Sequence, residues 1–382
     1  MVSKSSPILL QKNGCVSALA LAVTICTSFN TQAAEKIHLG IGGYFHVFTV
    51  AGRQSDSDGE PGADRRNHFF TEEGEIHFLG HTVLDNGLKI GVNVQLEAET
   101  CVDQVDESYV YVQGGFGRLE VGSNDPASDS GLHLAPRSPL PGHGFEDPTF
   151  KHWQTGGNSI VIPQTAVSIT RDSTKLTYYT PRVAGLQAGL SYTPTGCKIA
   201  VSVSGCGGSY AGFPNKTNTN RRSEAIEGIV NYRRKFGDFE IAGALAYGEA
   251  TIDSTAPGRD DVDQMAGSLR VRYGTLTTSF AYKTADRVIA GNAVDRTDFL
   301  AGISYKTGSL TYGAQYVHVE SDNQDTKGED ELDAIELGLR HRFGPGVTLS
   351  GGVQWIDLTD NNGNAANENE AIIFIVGTTV TF

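Results

Sequence analysis

From Lys36 onward, apolar and polar residues alternate in short runs, and that period of two leaves little but a β-architecture open to the chain. The final run, Ala371 to Phe382 (AIIFIVGTTVTF), poses the problem most sharply. Ile372, Phe374, Val376, Thr378, Val380 and Phe382 fall on one face, and Ile373, Ile375, Gly377, Thr379 and Thr381 on the other. The run stops on an aromatic with nothing after it to cover its edge. An exposed apolar edge invites aggregation, and closing a sheet into a barrel removes the edge. The expected fold is therefore all-β, a closed antiparallel barrel whose last strand seals against the first. An ordinary C-terminal edge strand of a soluble β-protein is the alternative this segment leaves open.

The rest of the chain repeats one unit: an alternating run, a tight turn, a second alternating run and a longer polar loop. Lys36–Gly52 and Asn67–Leu84 read as the first two strands, and Asp85-Asn86-Gly87 is a strong hairpin signal. In the third strand Leu88, Ile90, Val92, Val94 and Leu96 oppose Lys89, Gly91, Asn93, Gln95, Glu97 and Glu99. Further tight turns fall at Gly114–Gly117, Pro181–Gly185, Gly237-Asp238, Gly274, Thr307-Gly308 and Gly344–Gly346. Longer loops are expected around 126–171, 194–222, 251–261, 286–296, 321–330 and 359–370. About sixteen strands result, with short turns at one end and long loops at the other, which is the layout of a transmembrane β-barrel.

Composition narrows the class. The chain has 382 residues, and no apolar run long enough for a membrane helix occurs beyond the N-terminus. A formal charge of −14 argues against nucleic acid as a partner. Lys4 and Lys12, the apolar run Cys15 to Phe29 and Thr31-Gln32-Ala33-Ala34-Glu35 read as a secretory leader, residues 1–34, cut after Ala33 or Ala34. Its removal takes away two lysines and no acid, so the charge becomes −16 over the barrel domain, residues 35–382. Cys197 and Cys206 lie close together in a Gly/Ser-rich loop, where they are either a local disulfide or two loop thiols, and Cys101 is the odd one.

Alternation alone does not say which face meets water. Leu269, Val271 and Tyr273 oppose Ser268, Arg270 and Arg272; Ile335, Leu337, Leu339 and Phe343 oppose Glu336, Arg340 and Arg342. The aromatics break the tie. Tyr232, Phe236, Phe239, Tyr273, Tyr305, Phe343 and Phe382 all lie on the apolar face beside short turns, as a girdle at a membrane interface requires. The polar face then lines a water-filled lumen.

The segment Asp106-Glu107-Ser108-Tyr109-Val110-Tyr111-Val112, followed by Gly115-Phe116-Gly117-Arg118-Leu119-Glu120-Val121-Gly122, resembles the Gram-negative general porin family. Asn86-Gly87-Leu88-Lys89, Gln95-Leu96-Glu97, the Tyr179-Thr180-Pro181 turn and the terminal Phe382 are similar to it as well. The resemblance implies a sixteen-stranded barrel of the outer membrane, a homotrimer amid lipid and lipopolysaccharide, that passes small hydrophilic solutes and ions without a chemical step. It also implies that the long loop, residues 126–171, folds inward and narrows the pore. Pro126, Pro136, Pro139, Pro141 and Pro148 stiffen that loop. Its acids Asp125, Asp129, Glu146 and Asp147 are expected to face the wall cations Lys89, Arg118, Lys175, Arg233, Arg270, Arg272, Arg340 and Arg342, with Glu97 and Glu120 also on the lumen. The family's Pro-Glu-Phe-Gly-Gly-Asp loop motif is missing, which leaves the identity of the loop acids open. Acids opposite bases across a narrow gap set up a transverse field, and the net charge tilts the expectation to weak cation selectivity.

Other functions have less to stand on. Asp56-Ser57-Asp58-Gly59-Glu60 opens like a calcium loop without completing one, so it is a structural Ca2+ site or a plain acidic loop. His77, His81, His133, His143 and His152 show no recurring ligand spacing, and no further metal or cofactor is expected. No nucleophile elbow, phosphate loop or paired-Cys motif points to an enzyme. A plugged, non-conducting barrel acting as an adhesin and a solute-specific channel are the competing readings.

Overall fold

The computed structural model describes residues 36–98, 105–146, 152–156, 158, 160, 162–196, 221–252, 261–289, 292–322, 328–360 and 363–382. The expected leader, Cys101, Asp147 and the Cys197/Cys206 pair lie outside them. Sixteen strands follow in order: β1 His38–Gln54, β2 His68–Val83, β3 Lys89–Glu97, β4 Val105–Gly114, β5 Gly117–Ser123, β6 Thr174–Tyr179, β7 Leu186–Thr195, β8 Arg222–Phe236, β9 Phe239–Ile252, β10 Val262–Tyr273, β11 Leu276–Ile289, β12 Asn292–Thr307, β13 Leu310–Asp322, β14 Glu329–Gly344, β15 Val347–Thr359 and β16 Asn369–Thr381. Each pairs antiparallel with its neighbour in sequence, and β16 returns to β1 to close the barrel. At the seam Tyr44 lies opposite Thr381. Gly43 and Phe382 exchange both backbone hydrogen bonds, at 3.1 and 3.0 Å, so the terminal aromatic is part of the ladder.

Two glycines of the β4–β5 motif have steric reasons to be there. Gly117 (φ 115°) and Gly122 (φ 149°) adopt backbone angles that disfavour other residues, and a Cβ would strike Tyr179 O at the first and Ser108 O at the second. One expected loop is instead largely strand. β11 and β12 stay paired up to Ile289 opposite Asn292, although 286–296 reads as polar. A hairpin that rises into water can keep its ladder whatever its side chains face, because the backbone pairing satisfies itself.

The barrel is inside-out relative to a soluble one. Leu245, Phe343 and Phe382 are more than 60 % exposed on the outer face, while Asn231, Glu227, Gln354 and Glu336 are buried on the inner one. Beside the short turns, Phe236, Phe239, Tyr273, Tyr305, Phe343 and Phe382 stand outward and exposed, with the Phe239 and Tyr273 rings 4.4 Å apart. Near the long loops a second set of outward tyrosines donates to carboxylates: Tyr192 to Glu224 (2.5 Å), Tyr247 to Glu249 (3.1 Å) and Tyr316 to Asp333 (2.5 Å). Aromatic rings below and aromatic–acid pairs above fit the two interfaces of a bilayer.

The inner face is not uniformly polar. Val317, Val319, Leu332, Ala334, Ile356, Leu358, Ile373 and Ile375 point inward and are buried, and β9 lines the lumen with Ala242, Ala244, Ala246, Gly248 and Ala250. What covers them is the chain between β5 and β6. Leu140, Phe145, Trp153 and Ile160 of that segment join the β13–β16 side chains in one apolar cluster, and Leu134 and Val167 pack on the β9 alanines.

Candidate pore lining and constriction

The segment between β5 and β6 is fastened inside the barrel in two limbs. Going out, Ala127 N donates to Ser191 Oγ on β7 (2.8 Å), and Leu132 O accepts from Asn231 on β8 (2.8 Å). Leu134 N donates to Ser268 Oγ on β10 (3.1 Å), and Ala135 O accepts from Arg270 (2.6 Å). Pro136 O accepts from Gln315 on β13 (3.0 Å), Ser138 Oγ donates to Glu336 on β14 (2.5 Å), and His143 O accepts from Gln354 on β15 (2.7 Å). On the way back Gln154 bonds Gln54 and Asn369, Asn158 bonds Thr359 O, Gln164 N donates to Asp298, and Ile169 N donates to Glu227. Each anchor uses an inward side chain or backbone group, so the segment follows the inner wall from β7 round to β1 and returns. Past a contact of His152 with Phe69 at the start of β2 (ring centroids 5.6 Å apart), the inner wall of β2–β5 is left open.

The two ends of the segment meet at one residue. Lys175 Nζ donates to both Asn124 O and Arg171 O, and the side chain is almost wholly buried. The expectation of Lys175 as a lumen cation is corrected accordingly: desolvation is tolerated because two carbonyls and the nearby acids take up its charge. Glu146 likewise meets none of the expected wall cations, and the cation within its electrostatic reach is the buried Lys283 of β11. Its carboxylate accepts from Thr165 N (2.5 Å) and Thr165 Oγ1 (2.6 Å) and ties one limb to the other. Burial pushes Glu146 up to about 7. It pushes Asp125 up to about 8, with help from Asp129, Asp172 and Glu107, and Asp129 up to about 6. The histidines move the other way. His143 Nδ1 and His152 Nε2 are 2.9 Å apart in the apolar part of the segment, and burial holds His152 down to about 4 and His143 to about 2. Burial also takes His133, hydrogen-bonded to Thr165, to about 4.

The open wall is acidic. Tyr44 OH lies 2.6 Å from Glu73 and 2.7 Å from Glu75, and His77 reaches Glu75 at 2.7 Å. Carboxylate oxygens of Glu75, Glu97 and Asp106 converge within 4.8 Å, as do those of Glu107, Asp125 and Asp172. These are the convergent acid groups among the described residues, and neither includes the Asp56–Glu60 loop, where Glu60 caps Ser57 N (2.7 Å). Arg118 pairs with Glu120 at 2.5 Å and stacks over Tyr111, 3.8 Å from the ring centroid. Glu107, Tyr109, Arg118, Glu120, Asp125 and Asp129 line a recess of about 740 Å³ between this wall and the start of the segment.

The remaining wall cations lie elsewhere. Arg233, Arg270, Arg272 and Arg340 line a recess of about 390 Å³ on β8–β14, beneath residues 136–139 and toward the short turns. Lys89 begins β3 and Arg342 nears the end of β14, both at the short-turn mouth. The expectation that the segment's acids face these arginines is therefore corrected. The segment docks on the cationic wall, where Arg270 holds Ala135 O, while Asp125 and Asp129 sit at its start beside β4–β6 and Glu146 lies between its limbs. The expected cations lack Lys283, buried on β11 and 3.8 Å from Asp298, and Arg137, exposed on the segment and lining the arginine recess. Its flanks, Pro136-Arg137-Ser138-Pro139, were the available signal, since prolines either side hold a charge in place.

Residues 18–361 match a family model described as Gram-negative porin. No curated protein matches the chain. Among solved structures it is similar to an anion-selective porin from Comamonas acidovorans (TM-score 0.59, 16% identity, covering 91% of this chain and 100% of that one). It is similar to the in-vitro folded trimer form of OmpT, an outer membrane protein of Vibrio cholerae (TM-score 0.58, 14%, 90% and 99%). It is also similar to Salmonella typhi OmpF in complex with daunomycin (TM-score 0.58, 15%, 90% and 97%). At such identities the likeness speaks for the fold.

Proposed function

The chain belongs to the Gram-negative porin family and its barrel is that of a passive outer-membrane channel, and from this premise we propose that it passes small hydrophilic solutes and ions by diffusion, with weak cation preference, through a lumen narrowed by residues 126–171. The observation that carries this reading is the segment fastened along one side of the lumen while the acidic β2–β5 wall stays open. Ions crossing there meet Glu75, Glu97 and Glu107 on one side and the segment's first residues on the other. Carboxylates along a narrow aqueous path favour cations, and Lys89 and Arg118 on the same wall keep the preference small. In this reading no chemical step occurs, residues 1–34 are removed on export, and the barrel sits as a trimer amid lipid and lipopolysaccharide. The trimer form of the Vibrio cholerae protein supports that last point.

Conductance in planar bilayers, with the reversal potential in a salt gradient, tests the proposal. Stepwise openings in groups of three with a mild cation preference are expected. Silence from folded, heat-modifiable protein would overturn the channel reading in favour of a plugged, adhesin-like barrel.

A further inference from the structure

Five guanidinium groups gather in the recess beneath residues 136–139, and one carboxylate answers them. Arg272 pairs with Glu240 at 2.5 Å, and Arg270 is held by Ser279 Oγ (3.2 Å) and Ala135 O (2.6 Å). Arg137, Arg233 and Arg340 have no ion-pair partner among the described residues, and Arg137 lies within electrostatic reach of both Arg270 and Arg340. Cations collected this way repel one another, and nothing in the barrel requires them at one place.

The arrangement is also rigid. Pro136 fits against Gly302 and Pro139 against Gly313 and Gly338, so closely that a Cβ on Gly302 would come within 2.6 Å of Pro136 and one on Gly338 within 2.9 Å of Pro139. The backbone or side chains of residues 135, 136 and 138 each hydrogen-bond to the wall. Arg137 is thus held over the other arginines at both flanks, and a held cation loses little freedom when it takes a ligand. The recess of about 390 Å³ has room for roughly a dozen waters, enough for a small metabolite. Guanidinium forks match the paired oxygens of carboxylate and phosphate groups.

We propose that this recess is a binding site for a small multivalent oxyanion, either a polycarboxylate or a phosphate, held between Arg137 of the segment and Arg233, Arg270 and Arg340 of the wall. The proposal deepens the channel reading and rests on it for its transport consequence: such anions cross by saturable occupancy of this site while monovalent ions diffuse past the acidic wall.

Titration calorimetry on detergent-solubilised, heat-modifiable protein with citrate and with inorganic phosphate tests binding without requiring conduction. Bilayer currents in potassium chloride with either anion added test its transport role. Saturable binding of at least one anion, weakened tenfold or more by Arg137→Gln and partly restored by Arg137→Lys, is expected, with Arg234→Gln on the outer face leaving it unchanged. Preference for citrate or phosphate then assigns the ligand class. Absence of saturable binding of either anion overturns the site, even if the channel conducts. Binding equal in Arg137→Gln and the parent also overturns it. Binding in a protein that never conducts would keep the site and sink the channel.

Discussion

Two stretches of the inner wall of this barrel obey different rules. On β2–β5 the lumen side carries Glu73, Glu75, Asn93, Gln95, Glu97, Glu107 and Tyr109, and most of them meet water. On β9 and β13–β16 the same side carries alanine, valine, leucine and isoleucine, and the segment after β5 covers it. The first is pore surface and the second is a protein core that happens to lie inside a barrel. A polar lumen is thus a property of the uncovered wall only. Apolar inner residues trace where a loop docks.

Changes under the segment should therefore unfold it, and changes on the open wall should alter only currents. The largest effect is expected at Lys175. Lys175→Met leaves Asn124 O and Arg171 O without their donor and Asp125, Asp172 and Glu227 without their cation. Removing one member of a buried charged set costs about 3–5 kcal/mol. A lowered thermal transition with a noisier channel is the expected result. Leu140→Ala, in the centre of the covered wall, should cost about 2–5 kcal/mol by leaving a cavity. Glu97→Gln, on the open wall and part-exposed, should leave the transition in place. If both substitutions move it equally, the two walls are not distinct.

How much of this the sequence disclosed follows from the same contrast. Alternation located the strands, because lipid outside and water inside impose a clean period of two on most of them, as in Leu276–Lys283. The closing role of Ala371–Phe382 was legible in the same way. The docking footprint was harder. Ile372-Ile373-Phe374-Ile375-Val376 is apolar on both faces, the pattern of a strand covered on both sides, and Ala242 through Ala250 alternates small with large. Both patterns announce a covered wall, yet neither says what covers it. The partner lies far away in sequence, and docking on the cationic wall, rather than across from it, depends on three-dimensional placement of Arg270 and Gln315. Sequence spacing carries no trace of that.

The covered wall should also respond to pH through two opposed sets of groups. Glu146 is held near 7, above its ordinary value, so the folded state keeps its proton longer than the unfolded chain does, and stability rises as pH falls from 7 toward 4.5. His152 is held near 4, below its ordinary value, so the unfolded chain takes up a proton first, and stability falls as pH drops from 6.5 toward 4. Each is worth about 2–3 kcal/mol across its window. Asp125, Asp129, His133 and His143 on the same segment add slopes of both signs, so each variant is read relative to the parent. Glu146→Gln should expose the loss on acidification, and His152→Gln the gain, read as thermal transitions between pH 7 and 4.5. Parallel curves for both variants would show that these side chains are not buried as described.

The smallest effect belongs to the open wall, where water and salt screen each charge. Asp125 and Asp129 stand between the two regions: they begin the covered segment but line the recess shared with Glu107, Arg118 and Glu120. Their carboxyls titrate near 8 and 6, so the lumen beside β4–β6 loses negative charge as pH falls from 9 to 5. Neutral carboxylic acids no longer attract cations, and the reversal potential should shift toward zero over that interval. Asp129→Asn should remove the part of the shift nearest pH 6 while leaving the stability almost unchanged. Glu97→Gln, on bare wall, should lower the cation preference at every pH in the interval without changing the shape of the curve. A pH-independent reversal potential in the parent would mean that permeating ions do not pass these two aspartates, and the path would then have to be sought along the arginine-lined side instead.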